Sequence, residues 1–600
     1  MTPEPRHCDS LPAAWAGQDS WTVLDTAFGD GRTFLGTWQD CARALDAPAR
    51  LHYVGITSQA PDGHAMLERL AQFPELMAHA AQLRQQWFGL MPGIHRFTFD
   101  SGHMLLTLCV GSTLAMLREL QFTADSICLG SAPEEPDQDG SAMRWLSKAI
   151  ARLSHRGTSL HLPGTEPAVM DALRQCGFVA PPNHGGCATR LSYQPSWEPR
   201  NRRLQARPDR KAEQVRSCTV VGAGLAGAAV CHALAMRGWD VTVLDAAAHP
   251  ATGASAVPVG LLVPHSSRDD SARSQLSRAG ARLTLQLCRQ LLVNGQDWSD
   301  AGVLELRPKQ PSRLTPHWPA SGRDWSVPGD GSIWHAKAAW IKPSRLVQQC
   351  LATSGIRFVG DSRVARVHRQ DGEWTLWDAD ARLLARSTHV VLAVAGDAVR
   401  LPDVPGVRAT NGAPPAGWLS TDLPVLQATD GQVAFARQTP AQRHALPAQP
   451  VNGHGSLVPH VPSAEGPQWF AGATYESTPA GPDATHAAHR QIQARLEALL
   501  PEAGRALAHQ WENGQVAAWR GRRWSTPDRL PLIGPLHQDA YPGLWLSGAM
   551  GSRGLTFCVL AAELLAAQLC GEPLPIEKRL ARLLDPARVR TKPQRLFGCR

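Results

Sequence analysis

Residues 218–245, CTVVGAGLAGAAVCHALAMRGWDVTVLD, constrain the fold of this chain more than any other stretch. The β-branched run 219–221 predicts a buried strand. A glycine-rich turn follows, then an alanine-rich helix to about Arg237, and then a second strand over 241–244. This order of strand, turn, helix and strand predicts a βαβ unit within a parallel sheet.

The turn carries the spacing Gly-x-Gly-x-x-Gly at Gly222, Gly224 and Gly227. In a dinucleotide site these glycines allow a tight turn, close approach of backbone to pyrophosphate, and close packing of helix on strand. The helix N-terminus offers N–H groups to the phosphates, and Asp245 ends the second strand, where an acid binds ribose hydroxyls. We therefore predict a dinucleotide site, with a structural βαβ turn as the alternative. The acid disfavours NADP, while NAD and FAD stay open.

The length of 600 residues predicts two or more domains. The first ten residues lack the apolar segment of a signal peptide, and no apolar run reaches the length of a bilayer, so we expect a cytoplasmic protein without a membrane anchor. The 13 cysteines are scattered, with no CxxC pair, which indicates reduced thiols and no metal site. A net charge of +8 permits a polyanionic partner without requiring one.

A first domain is predicted over residues 1–195, where strands at 21–26 and 51–56 flank a possible helix at 32–45. The first strand runs into a Gly-x-Gly loop at Gly29 and Gly31, as in S-adenosylmethionine (SAM) methyltransferases, whose backbone must approach the cofactor closely. Such a site normally has an acid at the end of the second strand, and Thr57 stands there instead. A working cofactor site and a purely structural α/β domain both remain open.

Residues 196–216 are polar and basic, without apolar periodicity, and mark the predicted domain boundary. They form either a solvated linker or a phosphate-contacting segment. After the dinucleotide motif, Ala254 and Ser255 lie in a small-residue loop suited to close approach by a ligand. The apolar run 388–397, which includes Gly396, predicts a strand that returns to the cofactor, or simply another central parallel strand.

The region 406–480 is rich in Pro, Gly and Thr and predicts a β-rich substrate domain inserted in the cofactor domain. Near the C-terminus a strand at 544–548 leads into a glycine-rich turn and an apolar helix over 557–569. Two dinucleotide-compatible loops far apart in sequence favour FAD over a nicotinamide. The predicted ligand-binding residues of the second loop are Gly551, Ser552, Gly554 and Leu555.

Several segments together resemble the MnmC family of bifunctional enzymes that modify the wobble uridine of tRNA. They are TPDRLPLIGPL, GAMGSRGLTFCVLAAELLAAQLCGEPLPIE, GASAVPVGLLVPHSSRDDS and LPVLQATDGQVAF, with FGDGRTFLGTWQ and LHYVGIT in the first 200 residues. The resemblance covers essentially the whole chain. It implies a SAM-dependent methyltransferase domain followed by an FAD oxidoreductase similar to glycine and sarcosine oxidases.

The resemblance also implies the chemistry. The flavin half would remove the carboxymethyl group from 5-carboxymethylaminomethyl-(2-thio)uridine in tRNA, and the other half would methylate the amine that is left. Because the substrate is an N-substituted glycine, an arginine is the expected anchor for its carboxylate. We predict Arg553 for this role, in the loop expected to face the flavin, with Arg520 as second choice and a salt bridge as the alternative for either.

The methyltransferase half departs from the family pattern at three places. An acid at the end of the second strand, a Gly-Asp-Ala step and an Asp-Gly-Phe-x-Pro loop are replaced by Thr57, by Gly111-Ser112-Thr113 and by the sequence LGSAP at 129–133. Three polar anchors for SAM and for the amine are therefore missing together. We expect this half to have lost catalysis and to persist as a scaffold or RNA-binding face.

The predicted fold is α/β, with a Rossmann-like methyltransferase domain (1–195), a basic linker (196–216) and a glycine-oxidase-like FAD domain (217–600). FAD-binding parts are expected over about 217–405 and 515–590, around the β-rich region 406–480. One rival function is an amine or D-amino-acid oxidase acting on a free small molecule. The other is a non-catalytic RNA-binding scaffold. The oligomeric state stays open and is compatible with a monomer.

Overall fold

The computed structural model describes residues 14–130, 141–162, 166–180, 189–198, 216–307, 318–394, 426–476, 484–536 and 541–589. Within these ranges the chain divides into two compact units. The first comprises residues 1–214 with 567–579, and the second comprises residues 215–566 with 580–600.

The first unit is built on an eight-stranded sheet. Its strands are β1 (Ser20–Asp25), β2 (Arg50–Thr57), β3 (Gly93–Phe99), β4 (Met104–Val110), β5 (Ala124–Cys128), β6 (Ser154–Leu162), β7 (Phe178–Val179) and β8 (Thr189–Tyr193). The strand order is β3-β4-β2-β1-β5-β6-β8-β7. The central strands β4, β2, β1, β5 and β6 are parallel, and β3, β8 and β7 add antiparallel edges.

Helices cover both faces of this sheet. They are α1 (Arg32–Arg43), α2 (Gly63–Leu70), α3 (Met77–Gln86), α4 (Thr113–Glu119), α5 (Ser141–Arg152) and α6 (Pro167–Gln175). Neighbouring residues of β1 enter different hydrophobic clusters, Val23 with Phe34 and Trp38, and Leu24 with residues of α5. Because successive strand residues point to opposite faces, the sheet is buried on both sides, as expected for parallel strands.

Residues 567–579 belong to the first unit, which differs from the predicted second domain of 217–600. These residues join the first unit because they contact buried polar groups of β2 and β3. The Arg96 guanidinium donates to the carbonyl oxygen of Pro573, and the backbone N–H of Ile94 donates to Glu577 at 3.3 Å. The side chain of the fully buried His52 lies 3.6 Å from Glu572.

The second unit contains the remaining strands. They are β9 (Ser217–Val221), β10 (Asp240–Leu244), β11 (Gly260–Leu262), β12 (Trp298–Ser299), β13 (Val303–Leu306), β14 (Val327–Gly329), β15 (Ser332–His335), β16 (Ala339–Ile341), β17 (Ile356–Val359), β18 (Arg366–Gln370), β19 (Glu373–Trp377), β20 (Leu383–Ser387), β21 (His389–Leu392), β22 (Gln427–Arg437), β23 (Val451–Gly453), β24 (Gly455–Val461), β25 (Gln468–Gly472), β26 (Ala517–Ser525), β27 (Leu532–Pro535) and β28 (Leu544–Gly548).

Two large sheets organise this unit. The first has the order β17-β10-β9-β21-β28-β27 and is parallel except for β27. The second has the order β14-β15-β13-β23-β24-β25-β22-β26 and is antiparallel except where β13 meets β23. Strands β13–β15 and β26 therefore extend this sheet beyond the predicted range of 406–480. Two three-stranded sheets, β11-β16-β12 and β18-β19-β20, complete it.

The further helices are α7 (Leu225–Ala235), α8 (Ala272–Leu291), α9 (Pro343–Leu351), α10 (Gln442–Ala445), α11 (Ala484–Leu499), α12 (Pro501–Glu512), α13 (Gly554–Cys570) and α14 (Lys578–Arg582). The predicted fold class is confirmed, and the strand–turn–helix–strand order of 218–245 appears as β9, α7 and β10. The basic linker lies almost entirely outside the described residues.

Two expectations from composition need correction. Among the described residues one segment, Gly551–Cys570, is long and apolar enough to cross a membrane, although 72% of its apolar window is buried inside the protein. Length and composition do not distinguish a spanning helix from the core helix of a packed domain, and burial identifies this one as a core helix. Nine of the described cysteines are free, but Cys128 is disulfide-bonded, a spatial pairing that scattered sequence positions cannot reveal.

Candidate active site

A cavity of about 1090 Å³ lies in the second unit. It is lined at one side by the carboxyl ends of β9 and β10 and at the other by the eight-stranded sheet, through residues such as Phe470 and Trp519. Ligands of open α/β sheets bind outside the carboxyl ends of the parallel strands. The volume exceeds the 300–1,000 Å³ that is usual for small-molecule pockets, so a dinucleotide and a second ligand can share it.

Gly222 and Gly224 lie in the turn between β9 and α7, and Gly227 lies in the first turn of α7. Gly222 has a φ of +103°, a backbone conformation that side chains disfavour. A Cβ at Gly227 would lie 1.8 Å from the carbonyl oxygen of Gly222, so only glycine lets the helix pack this closely. Gly224 and the first residues of α7 line the cavity, where the helix N-terminus directs N–H groups toward a ligand.

Asp245 lies at the end of β10 and lines the cavity. Its carboxylate accepts the backbone N–H of Ala223 at 2.7 Å and that of Ala247 at 2.9 Å. These two bonds hold the carboxylate against the glycine turn. Since a carboxylate has about four acceptor positions, Asp245 can still accept hydrogen bonds from ribose hydroxyls.

The predicted small-residue loop also reaches the cavity. Ala254 and Ser255 line it, and the Ser255 hydroxyl accepts the N–H of Leu225 at 2.9 Å, at the first turn of α7. Gly396 lies outside the described residues. The strand before it, β21, pairs with β9 and β28, and Ala393 and Val394 follow it into the cavity wall.

The second predicted loop, Gly551–Leu555, follows β28 and begins α13. Gly551, Ser552, Gly554 and Leu555 all line the cavity, so the structure brings both glycine-rich loops to one site. Gly551 has a φ of +57°, which turns the chain from β28 into the helix. A three-residue 3-10 turn, Gly551–Arg553, places Arg553 directly before the first residue of α13.

The half-buried Arg553 side chain lines the cavity and has no carboxylate partner among the described residues. Its Nη1 atom is buried without a hydrogen-bond acceptor. Burial, together with Arg273 and Arg529, lowers the pKa of Arg553 from its usual value. Burial and the same guanidinium lower the pKa of the neighbouring His265 to about 4, so that this imidazole is neutral at physiological pH. A cation held in this way favours an anionic ligand.

Arg520, the second candidate, is already paired with other residues of the protein. It lies on β26 and donates to Glu476 at 2.7 Å and to Gln432 at 3.1 Å. On the same strand, Arg522 forms a bidentate pair with Asp430 at 2.7 and 3.0 Å. Arg520 therefore fits the salt-bridge alternative better than the carboxylate anchor, although both arginines line the cavity.

In the first unit, Gly29 and Gly31 form the predicted turn after β1, with φ values of +57° and +81°. Asp25 ends β1 and is 4% exposed, and it accepts the Tyr53 hydroxyl at 2.6 Å and the N–H of Ala27 at 2.9 Å. At the end of β2, the Thr57 hydroxyl donates to the carbonyl oxygen of Gln59 at 2.6 Å.

The chain was compared with known proteins. It is 44% identical to the tRNA 5-methylaminomethyl-2-thiouridine biosynthesis bifunctional protein MnmC of Albidiferax ferrireducens, over 97% of this chain and 95% of that protein. It is 42% identical to the protein of the same name from Polaromonas naphthalenivorans, over 96% of this chain and 91% of that protein. The chain belongs to the MnmC family. Residues 217–568 match the family of FAD-dependent oxidoreductases. A glycine oxidase structure from Geobacillus kaustophilus covers 59% of this chain at 18% identity, with a TM-score of 0.43.

The site of the second unit fits FAD. The cradle at Gly222 and Gly227, where a Cβ would collide with backbone, the helix N-terminus beside it and the acid at Asp245 are the parts that a dinucleotide requires. FAD is therefore the cofactor of this oxidoreductase unit.

MnmC membership implies SAM for the first unit, and the described residues fit it less well. The Phe28 ring, 2% exposed, lies between the glycine turn and β2, where a Cβ at Gly55 would approach it to 2.4 Å. The acid of β1 is bound within the protein, and β2 ends without one. Among the described residues at the carboxyl ends of these parallel strands, no carboxylate is placed to bind a ribose as Asp245 is.

Sequence reasoning missed several cavity residues. Ser362 and Arg363, after β17, lie near Asp245, while Asn452, Tyr475 and Arg495 come from the eight-stranded sheet and α11. They carry no motif, and only the pairing of distant strands places them here. Among the described residues, no group of three or more His, Cys, Asp or Glu side chains is arranged to hold a metal ion.

Proposed function

We propose that this protein removes the carboxymethyl group from 5-carboxymethylaminomethyl-(2-thio)uridine at the wobble position of tRNA, in the cytoplasm, by FAD-dependent oxidation. Membership of the MnmC family supports the substrate class. The observation that carries the assignment of the site is the Arg553 guanidinium, which has no carboxylate partner among the described residues and lies in a cavity that both glycine-rich loops reach.

Arg553 anchors the carboxylate of the N-substituted glycine. Guanidinium and carboxylate pair through two parallel hydrogen bonds, which set both position and orientation. The cost of leaving this charge half-buried, visible in its lowered pKa, is offset when an anion arrives. Neutral His265 beside it adds no competing positive charge.

The substrate's reacting carbon is the methylene between the carboxylate and the amine. FAD bound here would supply the oxidant, taking a hydride from this methylene while the amine nitrogen loses a proton, which leaves an imine. Once Arg553 fixes the carboxylate, the adjacent methylene has little freedom, and orientation of this kind can supply most of the rate enhancement in such an oxidation. The resulting imine takes up water and separates into glyoxylate and the free aminomethyl group on the uridine.

The first unit contributes no methyl transfer in this proposal. Its glycine turn is retained, but the acid at the end of β1 is bound by Tyr53 and by the backbone, and β2 ends on Thr57. The tRNA that is released then carries the aminomethyl nucleoside, whether or not SAM is present.

The test uses purified yellow holoenzyme and tRNA that carries the carboxymethylaminomethyl group, with and without SAM, followed by mass analysis of nucleosides. The same tRNA without the modification is the control. Accumulation of aminomethyluridine that SAM does not change supports the proposal. A methylated nucleoside would refute the inactivity of the first unit, and an unchanged nucleoside in yellow protein would favour an oxidase of free amines.

A further inference from the structure

The mouth of the cavity carries more positive charge than a small carboxylate requires. Six arginines line the cavity: Arg363, Arg495, Arg520, Arg522, Arg523 and Arg553. Carboxylates neutralise two of them, through the pairs with Glu476 and Asp430. One guanidinium is enough for the carboxylate of an N-substituted glycine. Arg363 lies near Asp245, in the part of the cavity assigned to FAD, so the surplus arginines on the substrate side are Arg495 and Arg523. These two indicate a substrate with further negative charge, as the phosphates of a nucleotide supply.

Arg495 and Arg523 both donate hydrogen bonds to backbone carbonyl oxygens of one short segment, residues 473–474. Arg523 donates to the carbonyl oxygen of Thr474 at 3.2 Å, and Arg495 donates to that of Ala473 at 3.0 Å. The segment continues directly into Tyr475. Carbonyl contacts orient these guanidinium groups without neutralising them, so their charge stays available to a ligand.

Tyr475 is 60% exposed, which is unusual for a large aromatic side chain lining a deep cavity. The Arg523 guanidinium lies over its ring, 4.8 Å from the ring centre. Tyr475 and Arg553 both line the cavity, and Tyr475 is close enough to affect the pKa of Arg553. An aromatic ring backed by a planar cation is the arrangement on which unpaired RNA bases stack.

We propose that Tyr475, supported by Arg523, is the platform on which the base of the wobble nucleotide stacks while its side arm reaches Arg553. The inference rests on the proposed function and adds to it the residue that selects a nucleotide over a free amine. A base stacked at the mouth leaves its substituent directed into the cavity. Tyr475 is in this sense a positioning residue, because it acts on the base and not on the reacting bond.

The experiment measures anaerobic reduction of the flavin by an anticodon stem-loop RNA that carries the modified uridine. Three holoenzyme variants are compared with wild type: Tyr475→Ala, Tyr475→Phe and Trp145→Ala. Trp145 is the matched control, because it is 51% exposed, has Lys148 over its ring at 4.7 Å, and lies on α5 of the first unit, outside the cavity lining. Half-saturating RNA concentration and limiting reduction rate are determined separately.

We expect Tyr475→Ala to raise the half-saturating concentration between about 5-fold and 150-fold, the range of one lost base–aromatic stack. The limiting rate should change less than about 3-fold, since the reacting carbon is still held by Arg553. Tyr475→Phe should behave as wild type, because stacking needs the ring and not the hydroxyl. Trp145→Ala should also behave as wild type.

Three results would overturn the inference. An unchanged half-saturating concentration in Tyr475→Ala would show that no base stacks there. An equal loss in Tyr475→Phe would assign the role to the hydroxyl, as a carboxylate ligand beside Arg553. Failure of wild-type yellow enzyme to be reduced by the modified RNA would refute the proposed function itself, a result distinct from the other two.

Discussion

Replacing Arg553 with glutamine removes a half-buried guanidinium for which the described part of the chain offers no carboxylate partner. If this cation anchors the substrate, the variant loses two charge-assisted hydrogen bonds to the carboxylate. Each such bond contributes about 1.5–3 kcal/mol, so the loss is at least about 3 kcal/mol. At 1.4 kcal/mol for each factor of ten, we expect kcat/KM to fall by more than about 100-fold.

Stability should move in the opposite direction to activity. Burial and two neighbouring arginines lower the pKa of Arg553, which means that the folded protein disfavours this charge. Its removal relieves that cost, and no ion pair with another described residue is lost. We therefore expect the thermal unfolding midpoint of Arg553→Gln to stay the same or rise, with FAD still bound.

The assay follows formation of aminomethyluridine in the modified tRNA, alongside flavin absorbance and a thermal melt. Arg553→Lys should recover part of the activity, because an ammonium keeps the charge but cannot form the bidentate contact. Arg289→Gln is the matched control. It breaks a partly exposed ion pair with Asp300 outside the cavity, so activity should persist while stability falls by less than about 1 kcal/mol. Activity of Arg553→Gln within about threefold of wild type would refute the reasoning.

Three further predictions concern the cofactor cradle, a buried histidine and SAM. Gly227→Ala should yield colourless, less stable protein, because the new Cβ would meet the carbonyl oxygen of Gly222 at 1.8 Å; a normal ratio of flavin to protein absorbance would contradict this. Burial lowers the pKa of His52 from 6.5 to about 4, so between these pH values the imidazole is protonated in the unfolded chain and neutral in the folded chain. The free energy of unfolding of the first unit should therefore decrease by about 3 kcal/mol as pH falls from 6.5 to 4. Hydrogen exchange of β2, corrected for intrinsic rates, should show this loss in wild type and in a variant of the exposed His103, but not in His52→Gln. Calorimetric titration of the holoenzyme with SAM should give no heat of binding, and a micromolar dissociation constant would contradict that expectation.

Local patterns in the sequence predicted the parts of the site that local physics determines. The βαβ unit of residues 218–245 was predictable because a buried strand, a glycine turn and an apolar helix each leave a signal within a few residues. The strand and helix after β27 were predictable for the same reason. Both glycine-rich loops then meet in one cavity, as two dinucleotide-compatible loops in one domain suggested.

The sequence ranked Arg553 before Arg520 from loop position alone, but it could not show which arginine is already paired, because that depends on partners that strand pairing brings together. Arg520 meets Gln432 only because β22 and β26 pair with these two residues in register. Tyr475 was missed for a related reason: exposure of an aromatic ring at a cavity mouth has no periodic signature. The assignment of residues 567–579 to the first unit likewise follows from contacts with β3 and not from composition.

A glycine-rich turn alone does not identify a cofactor site, as a comparison of the turns after β1 and β9 shows. Gly29 and Gly31 have positive φ angles, as Gly222 does, so each turn needs its glycines for backbone reasons whether or not a ligand binds. The difference lies in what surrounds the turns. Asp245 lines a cavity of about 1090 Å³, whereas Asp25 is buried and bound by a tyrosine hydroxyl. A glycine turn therefore indicates a ligand only together with its surroundings, here the cavity-lining Asp245 and an Arg553 without a carboxylate partner among the described residues.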